Sequence, residues 1–360
     1  MTYPCVPHAG RKTPGLTPVI SVCVVTRGRT ELLEACLRSL EDQLSPPEFE
    51  LLVCSNEDAG VAASVFGRFP DAQVGEVTRT FPGVARNLLV QRARGDILLF
   101  IDDDVILDRA LLRRLADTAA AHPDVDVFGG PNLTPPGSSD FQILQGAVLA
   151  SAITSGPVHR RYGAAPAVRA DEQDLILCNL AVRRHVMLPF ADDLRAGEES
   201  AVLVQMTRRG VSMRYDPELV VYHERRPTFR GFARQMIKYG EGRGLVLIRR
   251  PRAFRFGYLI PVALIGYLAL LPALVLQSRW WLSLLLIYAA VVAAGAAAVA
   301  VGLRRPGRLL PAAALISATH LLYGVGILAG VLSRRRPGAP AQPRWVGASR
   351  EALETPAAPH

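Results

Sequence analysis

The sequence predicts an α/β fold, a mostly parallel sheet with flanking helices, followed by an all-α membrane region. Three observations carry this. From residue 18 to about 130, short apolar runs of strand length alternate with helical stretches, the pattern of parallel strands joined by crossover helices. One of those runs, 97–101, stops on three successive carboxylates, Asp102, Asp103 and Asp104. Beyond residue 255 come three apolar runs, 256–276, 280–303 and 309–332, each near the ~20 residues that cross ~30 Å of hydrocarbon.

Taken in order, residues 1–17 hold Pro4, Pro7, Pro14 and scattered charges without an apolar core, so they read as a disordered lead-in and not as a secretory signal. A first strand over 19–25 runs into Thr26 and Arg27, and an amphipathic helix follows over 32–40. A second strand, 51–54, ends on Ser55 and Asn56, with Glu57 and Asp58 just after. No G-x-G-x-x-G follows the first strand, so a dinucleotide site is not indicated. Next come Phe81-Pro82-Gly83-Val84-Ala85-Arg86-Asn87, then Ala93-Arg94-Gly95-Asp96, then the strand that delivers the acids. A buried strand with acids at its carboxyl tip places charge where open α/β sheets bind ligands. Two carboxylates one residue apart share a divalent cation well, and Mg²⁺ or Mn²⁺ takes such oxygens together with substrate phosphates.

The second half of the domain offers Asn179-Leu180-Ala181-Val182-Arg183-Arg184, then Gly197-Glu198-Glu199, then a strand ending in His223. A helix with Gln235, Lys238 and Tyr239 precedes the membrane region, and Gly240-Glu241-Gly242-Arg243-Gly244 reads as a flexible joint. The domains are therefore 1–17, disordered; 18–245, catalytic; 246–333, a membrane region of about three helices; and 334–360, a disordered basic, Pro- and Ala-rich tail.

Charge divides the chain. Residues 1–241 carry 27 Lys and Arg against 30 Asp and Glu, a net −3, while 242–360 carry 14 against 2, a net +12. The positive excess flanks apolar segments, as juxtamembrane arginines do, which argues against nucleic acid as a partner. Arg249, Arg250, Arg252 and Arg255 before the first run put the catalytic domain on the cytoplasmic side, and Arg304, Arg305 and Arg308 agree. Three crossings would leave Arg334, Arg335 and Arg336 outside, against the rule, unless one run is re-entrant or interfacial. The five cysteines (Cys5, Cys23, Cys36, Cys54, Cys178) show no C-x-x-C pair. Cys23 and Cys54 lie in strand-like runs, so a reduced, buried and inert role is expected.

The ordered set P-G-x-A-R-N, A-x-G-D and D-D-D, with the first strand and helix before it, resembles the core of family 2 glycosyltransferases, which have the GT-A fold. The similarity runs from about residue 18 to about 245. It implies a donor site for a nucleotide-diphosphate sugar at Thr26, Arg27, Ser55, Asn56, Arg86, Asp102 and Asp103. It also implies a Mg²⁺ or Mn²⁺ site at Asp102, Asp104 and His223. Where the family usually has G-E-D, its last acid the general base, this chain has Glu199, with Glu198 the competitor. Gln235, Lys238 and Tyr239 resemble the Q-x-x-R-W motif of membrane-bound relatives and imply acceptor or diphosphate contacts. Many relatives carry an Asp early after the second strand, where Ser55 or Asn56 stands here, so the base is left open.

The resemblance implies an inverting glycosyltransferase at the inner membrane, acting on a lipid-linked sugar, a polyprenyl phosphate or a growing glycan, with membrane lipids as neighbours. Two alternatives are a degenerate transferase domain serving as a membrane-bound binding module, and a nucleotidyltransferase. The intact motifs argue against the first, and the missing Gly- and Lys-rich phosphate loop argues against the second.

Overall fold

The computed structural model describes residues 20–56, 60–77, 80–194, 196–251, 254–333 and 344–346. In chain order the catalytic part holds β1 (Ile20–Thr26), α1 (Thr30–Glu41), β2 (Phe49–Asn56), α2 (Val61–Arg68), β3 (Gln73–Val77), α3 (Pro82–Arg92), β4 (Ile97–Asp102), β5 (Val105–Leu107), α4 (Leu111–Ala121), β6 (Val127–Gly129), β7 (Asn132–Leu133), α5 (Asp140–Leu149), α6 (Ala152–Ser155), β8 (Val168–Arg169), β9 (Leu180–Arg183), α7 (Glu198–Arg208), β10 (Met213–Tyr215) and β11 (Val221–His223). Then come α8 (Phe229–Arg249), the apolar helices α9 (Leu259–Gln277), α10 (Leu282–Gly302) and α11 (Leu309–Leu332), and a last strand, β12 (Arg344–Val346).

The main sheet has the order β12-β3-β2-β1-β4-β9-β6-β10-β8, and a small sheet, β5-β11-β7, stands beside it. Strands β3, β2, β1 and β4 are parallel, and β9 pairs antiparallel with both β4 and β6. The core strands are buried on both faces, which is why they read as continuous apolar runs. On β1 and β4, Ile20, Val22, Val24, Ile97, Leu99 and Ile101 pack on one side with α1 and α4. Cys23, Leu98 and Phe100 pack on the other with α3 and α7. The period of two in the strands assigns alternate residues to the two layers.

Chain order reverses at β1, which lies between β2 and β4, and register sets Thr26 beside Ser55 and Val25 beside Asp102. Three predicted residues thus meet at the carboxyl edge of a topological switch point, where such sheets hold ligands. Cys23, Cys36, Cys54 and Cys178 are buried and free, and burial pushes their thiols far above the usual range. Cys5 lies outside the described residues.

The glycine-rich stretch is not a joint. It lies inside α8, which runs unbroken to Arg249, past the boundary expected at 245. A Cβ on Gly240 would stand 2.2 Å from Tyr323 O, and one on Gly244 would stand 2.3 Å from Ile327 O. Gly326 and Gly330 answer from α11 with equally close approaches to Ile237 O and Glu241 O. Gly240 therefore faces Gly326 and Gly244 faces Gly330, so the two helices run parallel with their backbones in contact. Small residues four apart on both helices permit this approach.

The tail expected to be disordered carries β12, antiparallel to β3, with Arg92 stacked 4.8 Å from the Trp345 ring. The edge of β3 offered unpaired backbone groups, and pairing them outweighed local composition. The rest of that tail, and residues 1–17, lie outside the described residues.

Candidate active site

The P-G-x-A-R-N motif is a clamp on the acids of α7. Gly83 lets the start of α3 pass the backbone at Ala191, whose carbonyl would stand 2.1 Å from a Cβ at that position. Asn87 donates to Phe190 O at 3.0 Å and accepts from Phe190 N–H at 2.8 Å. Arg86, one turn along from Gly83, then reaches both Glu198 (2.6 Å) and Asp102 Oδ1 (2.8 Å). The motif so ties the base segment to the acidic strand tip. Gly197, at φ 82°, starts α7 in the left-handed region that glycine tolerates, and the helix opens on Glu198 and Glu199.

The three aspartates have three environments. Asp103, expected among the donor contacts, is wholly buried and turned inward. Thr26 Oγ1 donates to it at 2.7 Å and the Arg29 guanidinium pairs with it. Burial raises its carboxyl above the usual carboxylate range. Asp104 Oδ2 accepts from Arg29 Nη1 at 2.6 Å, with Arg226 at 3.8 Å. Burial works to raise this carboxyl too, but His223 and Arg29 overcome it and hold it well below the usual range. Asp102 is the most open of the three and keeps Oδ2 clear of Arg86.

His223 ends β11 with Nε2 3.3 Å from Asp104 Oδ1, which makes no hydrogen bond. Buried polar atoms are almost always partnered, yet both Asp104 Oδ1 and His223 Nδ1 are orphans. One ligand atom each from Asp102, Asp104 and His223 falls within 4.8 Å of the others. Two carboxylate oxygens and an imidazole suit a divalent cation, and the orphaned oxygen fits one. These three residues could hold a metal.

Arg29 was invisible to sequence reasoning, which settled on Arg27. Gly28, at φ 65°, turns the chain between them, so that Arg27 is exposed while Arg29 faces the acids. Only the glycine hinted at that turn. Asn56 reaches the expected edge, but its amide is engaged, donating to Thr80 O at 2.8 Å and accepting from Thr80 N–H at 3.3 Å. It holds the backbone of Thr80 instead of offering a free base contact. Ser55 is fully buried beside it, and Glu57 and Asp58 lie outside the described residues.

Burial lifts the Glu198 carboxyl to about 7, against the pull of Arg86 and with Glu199 adding repulsion. Glu199 is partly exposed, and its hydrogen bond, from Ser200 Oγ, is a long 3.4 Å. Gln235 donates to Tyr239 Oη at 3.0 Å, one turn apart on the open face of α8, with Lys238 exposed beside them. The cavity lined by His122, Asp124, Arg169 and Arg214 contains none of these residues.

With this geometry in place, the chain can be set against known proteins. A family described as "Glycosyltransferase like family 2" matches residues 17–241. The mannosyltransferase PcManGT from Pyrobaculum calidifontis, solved in complex with GDP-Man and Mn²⁺, is 20% identical over 89% of each chain, with a TM-score of 0.55. TarS residues 1–349 from S. aureus in complex with UDP-GlcNAc is 16% identical over 85% of this chain and 90% of that one, with a TM-score of 0.47. No curated protein sequence matches. The GT-A-like architecture expected from the sequence is present.

Proposed function

This chain belongs to glycosyltransferase family 2, and from that premise we propose that it moves a sugar, with inversion, from a nucleotide-diphosphate donor to a lipid-linked or glycan acceptor at the cell membrane. One observation carries the reading. Arg86 joins the strand-tip acid Asp102 to Glu198 of α7 through bonds of 2.8 and 2.6 Å, which sets a candidate metal cluster on one side of it and, next to Glu198 in the chain, the candidate base Glu199 on the other.

In this reading, Asp102, Asp104 and His223 would hold a Mg²⁺ or Mn²⁺, which would supply charge to offset that developing on the diphosphate leaving group. Glu199 accepts the proton of the acceptor hydroxyl. Arg86 fixes the distance between the two carboxylate groups, and Arg29 with Thr26 keeps Asp103 turned inward so that Asp104 stays in place. Positioning on this scale is worth orders of magnitude in rate. The GDP-Man bound by the similar mannosyltransferase structure fits a nucleoside-diphosphate donor. A panel of nucleotide sugars offered to the detergent-solubilised protein, with Mn²⁺ and a lipid acceptor mixture, should release nucleoside diphosphate from one donor above all others. Release from none would refute the proposal.

Membrane attachment rests on three helices long and apolar enough to cross, Phe256–Gln277, Arg279–Gly302 and Pro306–Leu332. Their packing favours an even number of crossings. No residue of α9 or of the first half of α10 is buried in the protein, as lipid-facing helices require. By contrast α11 lies along α8, and α8 is bound to the catalytic domain, Arg250 pairing with Asp193 at 2.9 Å. The other end of α11 is held by Arg305 on Asp140 of α5 at 2.6 Å, and His320 approaches Ile153 O at 3.0 Å midway.

Eleven residues after Ser333 the chain pairs with β3 again. The ten intervening residues are too few for a helix that crosses ~30 Å of hydrocarbon, and only helices and closed barrels span it, so both ends of α11 belong on the catalytic side, and Arg334–Arg336 then obey the charge rule. A reporter fused after residue 350 should report the same side as one fused at the N-terminus, the cytoplasm. Opposite signals would restore three crossings.

A further inference from the structure

Among the described residues, Arg243 is a partly buried cation whose partners do not account for it. It lies on α8, where the catalytic domain, the start of α9 and the body of α11 converge. Nε donates to Tyr323 Oη at 3.4 Å and Nη2 to Ser200 Oγ at 3.3 Å, while the guanidinium stacks 4.4 Å from the Tyr258 ring. These are two long hydrogen bonds for five N–H donors, and among the described residues Arg243 forms no ion pair with a carboxylate. Other arginines of the domain differ. Arg29, Arg86, Arg160, Arg250 and Arg255 each pair with an acid. Arg225 lacks one but is satisfied by Asn132 O, Asn132 Oδ1 and Thr134 Oγ1. A partly buried guanidinium with donors to spare is a place for an anion.

Two surroundings say which anion. On one side stands α7, where Ser200 bonds both Arg243 and Glu199. The cation is therefore one hydroxyl removed from the candidate base, well placed for an acceptor. On the other side α9 begins, and the chain entering it and its first turn are apolar and open to the surroundings, Phe256 being 81% and Ile260 70% exposed. A ligand seated here meets a cation at its head and an apolar rim beyond. We propose that Arg243, stacked on Tyr258 and braced by Tyr323 and Ser200, binds the phosphate that links lipid to sugar in the acceptor, the lipid chain leaving along Phe256 and Ile260 and the sugar hydroxyl being left to Glu199. The proposal rests on the transferase reading above and narrows its acceptor from lipid-linked or glycan to phosphate-bearing lipid. Arg suits the site better than Lys because the planar fork both stacks on the ring and presents paired donors to phosphate. The three elements that hold it (α7, α9 and α11) are far apart in sequence, so the site exists only when the membrane helices are docked.

The test uses the full chain in detergent and separates acceptor from donor. The probes are farnesyl phosphate, farnesol as the same chain without the anion, and UDP, GDP, TDP and CDP with Mn²⁺. Wild type should hold farnesyl phosphate at least about tenfold more tightly than farnesol, in line with a charge-assisted hydrogen bond. Arg243→Gln should erase that difference and leave nucleotide affinity unchanged, which also reports an intact fold, and Arg243→Lys should restore part of it. Equal affinity of wild type for farnesyl phosphate and farnesol, with nucleotide still bound, overturns the acceptor site alone. Loss of nucleotide affinity in both Arg243 variants, with farnesyl phosphate binding kept, overturns it in favour of a donor contact. A wild type that binds none of the four nucleotides overturns the transferase reading beneath it.

Discussion

Glu199→Gln is expected to lower turnover by roughly 10²-fold or more, the usual worth of general-base catalysis, with donor affinity unchanged. Two adjacent acids compete for this role, and the structure distinguishes them by what each already does. Glu198 is buried and accepts from Arg86 at 2.6 Å, so its carboxylate is engaged in holding the site together. Glu199 is partly exposed with one long hydrogen bond. A base must reach the proton it removes, and Glu199, the more exposed of the two and not held by Arg86, is placed to do so.

Glu198→Gln should instead loosen Arg86 and with it Asp102, and so weaken donor binding. The acids also separate by pH. Burial lifts Glu198 from 4.5 to about 7, so between those values the folded chain keeps a proton that the unfolded chain releases. Stability contributed by this group is therefore present below pH 4.5 and declines as pH rises toward 7. Thermal melts of Glu198→Gln should have a flatter slope in that window, and those of Glu199→Gln should keep the wild-type slope. An active Glu199→Gln beside a dead Glu198→Gln with normal donor affinity would reverse the assignment.

What the sequence made legible follows from how locally each feature is encoded. The strands of the parallel core, the acidic tip and the apolar helices are written in runs of neighbouring residues, and all stand where expected. The choice between Arg27 and Arg29 was not legible, because it depends on a left-handed Gly28 and on partners more than 70 positions away. The same holds for Asn56, whose amide is claimed by Thr80, and for Asp103, which looked like its neighbours but points the other way. The clearest misreading was the glycine cluster at 240–244. Glycines before a hydrophobic segment suggest flexibility when no partner is in view, but Gly326 and Gly330 make them a contact between two helices. Strand β12 shows the same limit, since a three-residue pairing in a Pro-rich tail has no local signature.

Asp104→Ala should abolish sugar transfer and should not be rescued by excess Mn²⁺, whereas wild type stripped with EDTA should recover when Mn²⁺ or Mg²⁺ is returned. Asp104 is the member of the cluster that nothing else can replace. Its Oδ2 is tied to Arg29, and its Oδ1 lies buried beside His223 with no hydrogen bond of its own. A carboxylate oxygen held out of water without a donor is costly, and a divalent cation shared with Asp102 and His223 would offset that cost. The alanine change removes both oxygens. It also leaves Arg29 with Asp103 alone, so some loss of stability accompanies the loss of activity. Asp104→Asn separates the two effects. It keeps the shape and an acceptor for Arg29 but carries no charge, so its melting point should stay closer to wild type while Mn²⁺ affinity falls by a factor of ten or more, the scale of a lost charge-assisted contact. The readout independent of turnover is the Mn²⁺-dependent rise in melting temperature, which follows from binding to the folded state alone. Wild type should show that rise, Asp104→Ala should lack it, and Asp104→Asn should show a smaller one. Full activity in EDTA, or an equal Mn²⁺ shift in Asp104→Asn, would remove the metal from this site.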